Sequence, residues 1–222
     1  MSLRKTIPIL SLAAFLTACV ANEKIRLIPF DGGLTQWAVE QMPGGSVLAK
    51  DGVLMIDDHN GCTVWLREKL MAPVEISYDV TVVMNGGAND RVSDINCFWM
   101  ATDPASPGRP AGRSGKFTDY DSLRLYYVGM GGNTNTTTRF RRYSGDGSKP
   151  LLSGYDFNGV GVLLAPNVTY HLRVVARDGV AEFWRDGEKI FSFKDPAPLT
   201  AGWFGFRTVH SHLEIRNFHI RG

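Results

Sequence analysis

Apolar and polar residues alternate along most of this chain with a period of two, and the alternation marks out its strands. Val74, Ile76, Tyr78, Val80 and Val82 are interleaved with Glu75, Ser77, Asp79 and Thr81, the pattern of a strand with one face buried and one face wet. Leu123, Leu125 and Tyr127 alternate with Ser122, Arg124 and Tyr126, and residues 94–101 and 137–143 also read as long strands. Shorter strands are expected at 36–40, 46–50, 53–57 and 63–67, punctuated by Pro43-Gly44-Gly45, Asp51-Gly52 and His59-Asn60-Gly61. Further on, Tyr170, Leu172 and Val174 alternate with His171 and Arg173. Strands at 180–185 and 189–193 follow, joined by Asp178-Gly179 and Asp186-Gly187. Asp-Gly between such runs signals a type I′ hairpin, whose two central residues both take positive φ. Gly202–Thr208 closes what reads as a four-strand meander, while 102–116 and 144–166 read as long loops. No run of helical period has useful length. Many short strands without helices indicate a single sandwich or jelly roll.

The first residues break this pattern. Arg4 and Lys5 precede an apolar run from Ile7 to Phe15, and Leu16-Thr17-Ala18-Cys19 follows. A basic start, a short apolar core and small residues make a secretory signal. The last four residues match a bacterial lipobox, in which the cysteine is lipidated and becomes residue one. Residues 1–18 are therefore expected to be signal, 19–27 a lipidated tether and 28–222 one domain. Acyl chains anchor a protein without a transmembrane helix. Val20 stands where an inner-membrane retention signal would place Asp, so the expected home is the outer membrane, facing periplasm or surface.

Loss of the signal changes the charge balance. The 24 basic residues fall to 22, against 22 acidic ones, and a neutral chain argues against nucleic acid as a partner. The charge is uneven, however. Between Arg91 and Arg142 there are eight cations and four anions, all of the latter Asp. A local +4 suggests an anionic ligand, although Arg109 and Arg113 suit solvated loop positions. Cys62 and Cys97 remain once Cys19 is lipidated. Both sit in strand-like runs; an oxidising periplasm permits a bridge between them, but they read rather as buried free thiols, which behave as small hydrophobes. No Cys/His spacing resembles a zinc or haem site.

Four motifs carry a resemblance: residues 91–103 (Arg91-Val-Ser-Asp-Ile-Asn-Cys-Phe-Trp-Met-Ala-Thr-Asp103), Gly112–Phe117 with Tyr120-Asp121-Ser122, Thr136–Arg142, and Gly202–Thr208. Together they resemble a bacterial family of concanavalin A-like proteins known only as a domain of unknown function, and more weakly the YesU-like proteins, encoded near rhamnogalacturonan-degrading enzymes. The resemblance implies an all-β concanavalin A-like lectin/glucanase jelly-roll sandwich of two antiparallel sheets, in a setting of plant or algal polysaccharide use. It brings no catalytic residue with it. Such folds often carry a structural calcium on the convex side, and Asn89, Asp90 and Asp94 offer the hard oxygen ligands that calcium takes. Turn chemistry explains Asn89-Asp90 equally well. No cofactor or metal is assigned.

Three chemistries fit that setting. A lyase acting on a uronic-acid-containing glycan needs the C5 carboxylate neutralised, a base for the C5 proton and an acid for the leaving oxygen. Arg139 suits the first task, because a guanidinium grips a carboxylate bidentately, and Tyr126 and His210 suit the others. Arg124 with Tyr126, Arg139 with Arg141, and His210 with His212 are each two residues apart and so share a strand face. Asn96, Asp94, Trp99, Arg124, Arg141 and His212 are expected to bind substrate, with Asn96, Arg124, Tyr126, Arg139 and His210 converging in one concave cleft. A glycoside hydrolase instead needs two carboxyls across the scissile bond. No Glu-x-Asp-x-x-Glu run exists and no Glu lies between Glu75 and Glu182, leaving Asp94, Asp119, Asp121 or Glu182. A non-catalytic binding protein would stack sugars on Trp99, Tyr126, Tyr127 or Trp184. The expected partner is thus an acidic oligo- or polysaccharide, met by a monomer.

Overall fold

The computed structural model describes residues 24–222; the signal expected at residues 1–18 and the lipidation expected at Cys19 lie outside the described residues. In chain order the strands are β1 (Ile25–Leu27), β2 (Trp37–Gln41), β3 (Ser46–Lys50), β4 (Val53–Asp58), β5 (Cys62–Leu66) and β6 (Leu70–Met71). Then come β7 (Val74–Val82), β8 (Ile95–Thr102), β9 (Arg124–Gly131), β10 (Thr137–Ser144) and β11 (Asp156–Phe157). The last five are β12 (Thr169–Arg177), β13 (Val180–Arg185), β14 (Glu188–Lys194), β15 (Ala201–Thr208) and β16 (Ser211–Arg221). They form two antiparallel sheets of eight. The first runs β14-β13-β12-β7-β16-β4-β3 with β1 added to β16, the second β11-β10-β9-β8-β15-β5-β2 with β6 added to β15. This is the expected jelly-roll sandwich.

Alternation positions the core. Val74, Ile76, Tyr78, Val80 and Val82 point inward from the first sheet, and Cys97, Trp99, Tyr126, Val128, Met130 and Phe140 meet them from the second. Trp37 joins the layers, its ring 5.4 Å from Phe206 of the second sheet and 5.1 Å from Phe218 of the first. Burying a large side chain of this kind contributes about 1.5–3 kcal/mol. Cys62 and Cys97 are buried and free, and β15 lies between their strands.

The Asp-Gly turns are as expected. Asp51-Gly52, Asp178-Gly179 and Asp186-Gly187 all take positive φ at both residues. Three details depart from the sequence reading. The four C-terminal strands are not one meander, because β15 crosses to the second sheet after β14. Residues 25–27, expected to belong to a tether, instead pair as β1 with the end of β16. β16 itself, at eleven residues the longest strand, interrupts its own alternation where Asn217 takes a φ of 52°.

Candidate functional site

The outer face of the second sheet carries a row of side chains from aligned positions. Pairing brings Glu40 beside Thr63, Thr63 beside Arg207, Arg207 beside Asn96, Asn96 beside Gly129, and Gly129 beside Arg139, which ends next to Asp156. A core would not tolerate such a row, yet only part of it is wet. Phe117 and Tyr120, on a short 3-10 turn (Phe117–Tyr120), close a second apolar cluster with Trp65, Phe98, Leu125, Tyr127, Tyr143 and Trp203. Glu40 ties this cover down, accepting from the Trp65 indole N–H and the Tyr120 hydroxyl at 2.9 Å each and from the Arg113 amide at 3.1 Å. Arg113 is no solvated loop cation, because it pairs with Asp103 at 2.7 Å.

The other half of the row lies open as a cleft of about 280 Å³. Asn96, Tyr127, Gly129, Arg139 and Arg141 supply its floor and side, Arg91, Asp94 and Val209 one end, and Phe117 and Lys149 the edge of the cover. Gly129 is required here. A Cβ at that position would lie 2.3 Å from the Tyr127 hydroxyl, so the phenol reaches across its own strand onto the cleft floor. The remaining wall is the turn Gly132–Asn135, in which Asn133, Thr134 and Asn135 all take φ between 51° and 58°. For a β-branched threonine that conformation is strained, costing on the order of 1–3 kcal/mol.

Four cations face one carboxylate in this cleft. Asp94 accepts from Arg91 at 2.7 Å, from the Ser93 hydroxyl at 2.6 Å and from the Asn96 amide at 3.3 Å. Burial outweighs those donors and pushes the Asp94 carboxyl above its ordinary range. Arg139 is shared with Asp156 through contacts of 3.0 and 3.3 Å, and Lys149 with Asp121 at 2.7 Å. Among the described residues Arg141 donates only to the Lys149 carbonyl. Burial, helped by Tyr143 and Asp94, holds the Tyr127 phenol well above its usual pKa. Tyr127 is therefore a donor at neutral pH, not a phenolate.

Several expected site residues stand elsewhere. Asn96, Asp94, Arg139 and Arg141 do line the cleft. Tyr126 does not: it points into the sandwich, its hydroxyl 2.8 Å from Asp195, and burial together with Asp195 raises its pKa. Trp99 is wholly buried, its indole N–H on the Val175 carbonyl. Arg124 sits at the far end of β9, bonded to the Ser144 carbonyl. His210 occupies the turn after β15 with a φ of 52°, its ring 5.2 Å from His59. His212 faces Asp90 at 3.0 Å on the first sheet. The expected convergence of Arg124, Tyr126 and His210 with Asn96 and Arg139 is thus absent. The spacing arguments were sound within a strand, but they could not say which face was inward. Tyr127, one residue along, takes the position expected of Tyr126. Trp184 lies on the first sheet against Arg173, 4.1 Å from its ring. Sequence reasoning missed Arg207 and Lys149, one directly after a Gly-Trp-Phe-Gly-Phe run and the other in a long loop.

The oxygens considered for calcium are already engaged: Asn89 Oδ1 meets the His59 ring and Asp94 accepts from Arg91 and Ser93. Both Asp90 oxygens are met by donors, the amides of Asn85 and Gly87 and the ring of His212. Although burial works against it, those bonds hold the Asp90 carboxyl below its ordinary range. Among the described residues no group of three or more His, Cys, Asp or Glu is arranged to hold a metal ion.

Comparison with known proteins fits this architecture. Residues 56–218 match the family model for a domain of unknown function, DUF6250, and the chain belongs to that family. No curated protein matches it significantly. Among solved structures, a Bacillus subtilis protein of unknown function with a galectin-like fold superposes with a TM-score of 0.62 at 18% identity, over 84% of this chain and 89% of that one. The carbohydrate-binding module CBM66 from Bacillus subtilis superposes at 0.56 with 12% identity, over 83% and 94%. A β-1,3-1,4-glucanase (lichenase) from a mouse hindgut metagenome gives 0.56 at 12% identity, over 89% and 98%. At these identities the likeness is one of fold.

Proposed function

We propose that this member of the DUF6250 family is an envelope lipoprotein that binds an acidic, uronic-acid-containing glycan in the cleft on its second sheet. One observation carries the reading: Arg91, Arg139, Arg141 and Lys149 surround a cleft whose lining holds a single carboxylate, Asp94. Guanidinium groups match a sugar carboxylate in shape as well as charge, and Asn96, Asn133 and Thr134 supply hydroxyl partners around them. The strained turn at 133–135 supports the same view, since such strain gathers at ligand sites. The fold shared with a carbohydrate-binding module and a glucanase is consistent with a glycan ligand. Lipidation at Cys19 would hold the domain at the membrane surface.

Titration calorimetry with oligogalacturonate and with a neutral oligosaccharide of equal length tests the proposal. The wild-type protein should bind the acidic ligand more tightly. Arg141→Ala should weaken it by about 1.5–3 kcal/mol, the worth of a charge-assisted contact, and leave any neutral binding unchanged. Equal affinity for both ligands would sink the idea.

Elimination on the bound chain is a second reading, favoured by the desolvated Asp94 carboxyl and the protonated Tyr127 hydroxyl sharing the cleft. Asp94 would take the C5 proton, and the C5–H electrons would form the C4=C5 bond. The C4–O bond would then break, with the Tyr127 proton passing to the leaving oxygen. Ultraviolet absorbance from an unsaturated uronate, lost in Tyr127→Phe, is its readout. Hydrolysis is disfavoured, because the cleft lining offers no second carboxyl to pair with Asp94.

A further inference from the structure

The most unusual group in the molecule is not in the open cleft but beside it. Arg207 is fully buried in the middle of the second sheet's outer face. Its Nη1 donates to the Thr63 hydroxyl at 3.3 Å and to the Gly115 carbonyl, but its Nε and Nη2 have no partner. Among the described residues no carboxylate hydrogen-bonds it. Asn96, its neighbour across the sheet, has the complementary defect: its Oδ1 is buried and accepts nothing. A buried guanidinium with two idle donors is costly unless something else meets them.

Two rings cover the Arg207 guanidinium at 5.3 Å each, the buried Tyr120 and Phe117, and of the two only Phe117 lines the cleft. The Phe117 ring lines the cleft and lies 5.3 Å from the Arg207 guanidinium, while the Lys149 ammonium, also lining the cleft, is 5.0 Å from the same ring. Phe117 itself is only half-buried, and it follows Gly112 and Gly115, both at positive φ. An aromatic ring held between two cations stabilises them both while no anion is present, and a carboxylate would outbid it for either.

Resting on the acidic-glycan reading, we propose that Arg207 is a concealed carboxylate subsite of this cleft, and that Phe117 is the gate which opens to admit a uronate to it. Swinging Phe117 aside exposes Nε and Nη2, the two adjacent donors that form a bidentate grip, next to the cations of the open cleft. The subsite selects a sugar carboxylate over a neutral hydroxyl, because only an anion offsets the loss of the aromatic contact. In the closed state the apparent affinity is reduced by the fraction of molecules that are open.

The test follows the Arg Nε–H signals of the ¹⁵N-labelled protein by NMR during titration with galacturonate, galactose or inorganic sulfate. The proposal expects galacturonate to shift the Arg207 signal together with those of Arg139 and Arg141, and galactose to shift none of the three. Phe117→Ala should tighten galacturonate binding by roughly tenfold by removing the closed state, and adding Arg207→Gln should abolish that gain. Because wild-type protein gives the first result, it does not depend on the double variant folding. If galacturonate moves Arg139 and Arg141 but leaves Arg207 unmoved, in wild type and in Phe117→Ala alike, the subsite is refuted while the glycan reading stands. If sulfate moves Arg207 as strongly as galacturonate, the group is a general anion trap and the sugar-carboxylate assignment fails. If no signal responds to galacturonate, both readings fall.

Discussion

At the scale of single residues the cleft is built by substitutions that a simpler sheet would not need. Gly129 leaves room for the Tyr127 hydroxyl, so Gly129→Ala sets a Cβ 2.3 Å from that oxygen. Overpacking of this kind costs about 1–3 kcal/mol; chemical denaturation should show the loss, and uronate titration should show weaker binding. Thr134 makes the opposite case. It holds a φ of 58° that glycine adopts freely, so Thr134→Gly should raise stability by about 1 kcal/mol while weakening the ligand. A variant that gains neither stability nor a binding defect would show that the turn is not strained for function. Asp94 gives a pH signature. Its folded pKa lies above that of an ordinary aspartate because it is desolvated. Between those two values the folded protein keeps a proton that the unfolded chain has released. Stability from this residue is therefore gained as pH falls into that window and lost as pH rises through the raised pKa. Asp94→Asn should remove that slope, seen as a flatter melting temperature on the acid side.

At the scale of elements, the strands were legible because one face of each is dry, and the Asp-Gly turns because positive φ narrows the residue choice. Parity was harder to read. β9 offers Tyr126 and Tyr127, both large and amphipathic, and only packing decides which ring the sandwich takes: Tyr126 meets the inner residues Trp99 and Phe140, Tyr127 the outer Phe98 and Phe117. A one-residue change of face moved the expected catalytic tyrosine out of the cleft. β8 is buried on both faces, so Trp99 and Asn96 looked alike from sequence, although one is core and the other lines the cleft. The reason is the cover formed by residues 103–123, whose packing on the outer face no local pattern announces. That cover hangs on Glu40, a nearly buried carboxylate accepting three hydrogen bonds. Glu40→Ala should cost about 2–4 kcal/mol by leaving buried donors unsatisfied. Hydrogen exchange should then speed up at 113–120 before it does in β7. Uniform acceleration across both sheets would mean that Glu40 supports the whole fold and not the cover.

At the scale of the whole molecule the two sheets divide the work. The first pairs charges on its own outer face, as with Arg173 and Glu75 at 3.0 Å, whereas the second gathers Arg91, Arg139, Arg141 and Lys149 around one cleft whose lining holds a single carboxylate, Asp94. A chain whose residues 19–222 balance in charge can in this way present a local positive field, which raises the encounter rate with a polyanion and is screened by salt. Placement adds to the effect. If Cys19 is lipidated as proposed, the five residues that separate it from β1, at no more than about 3.6 Å each, hold the domain within roughly 20 Å of the anchor. A membrane-held domain meets a long glycan at many points, so weak sites act together on one chain. Cys19→Ser separates these contributions. The variant should leave the membrane fraction and bind short oligogalacturonate as the wild type does, because the cleft is untouched. Capture of a long acidic polysaccharide by intact cells should fall sharply. Unchanged membrane association would refute the anchor, and weaker binding of the short ligand by the purified variant would show that the cleft depends on the N-terminal segment itself.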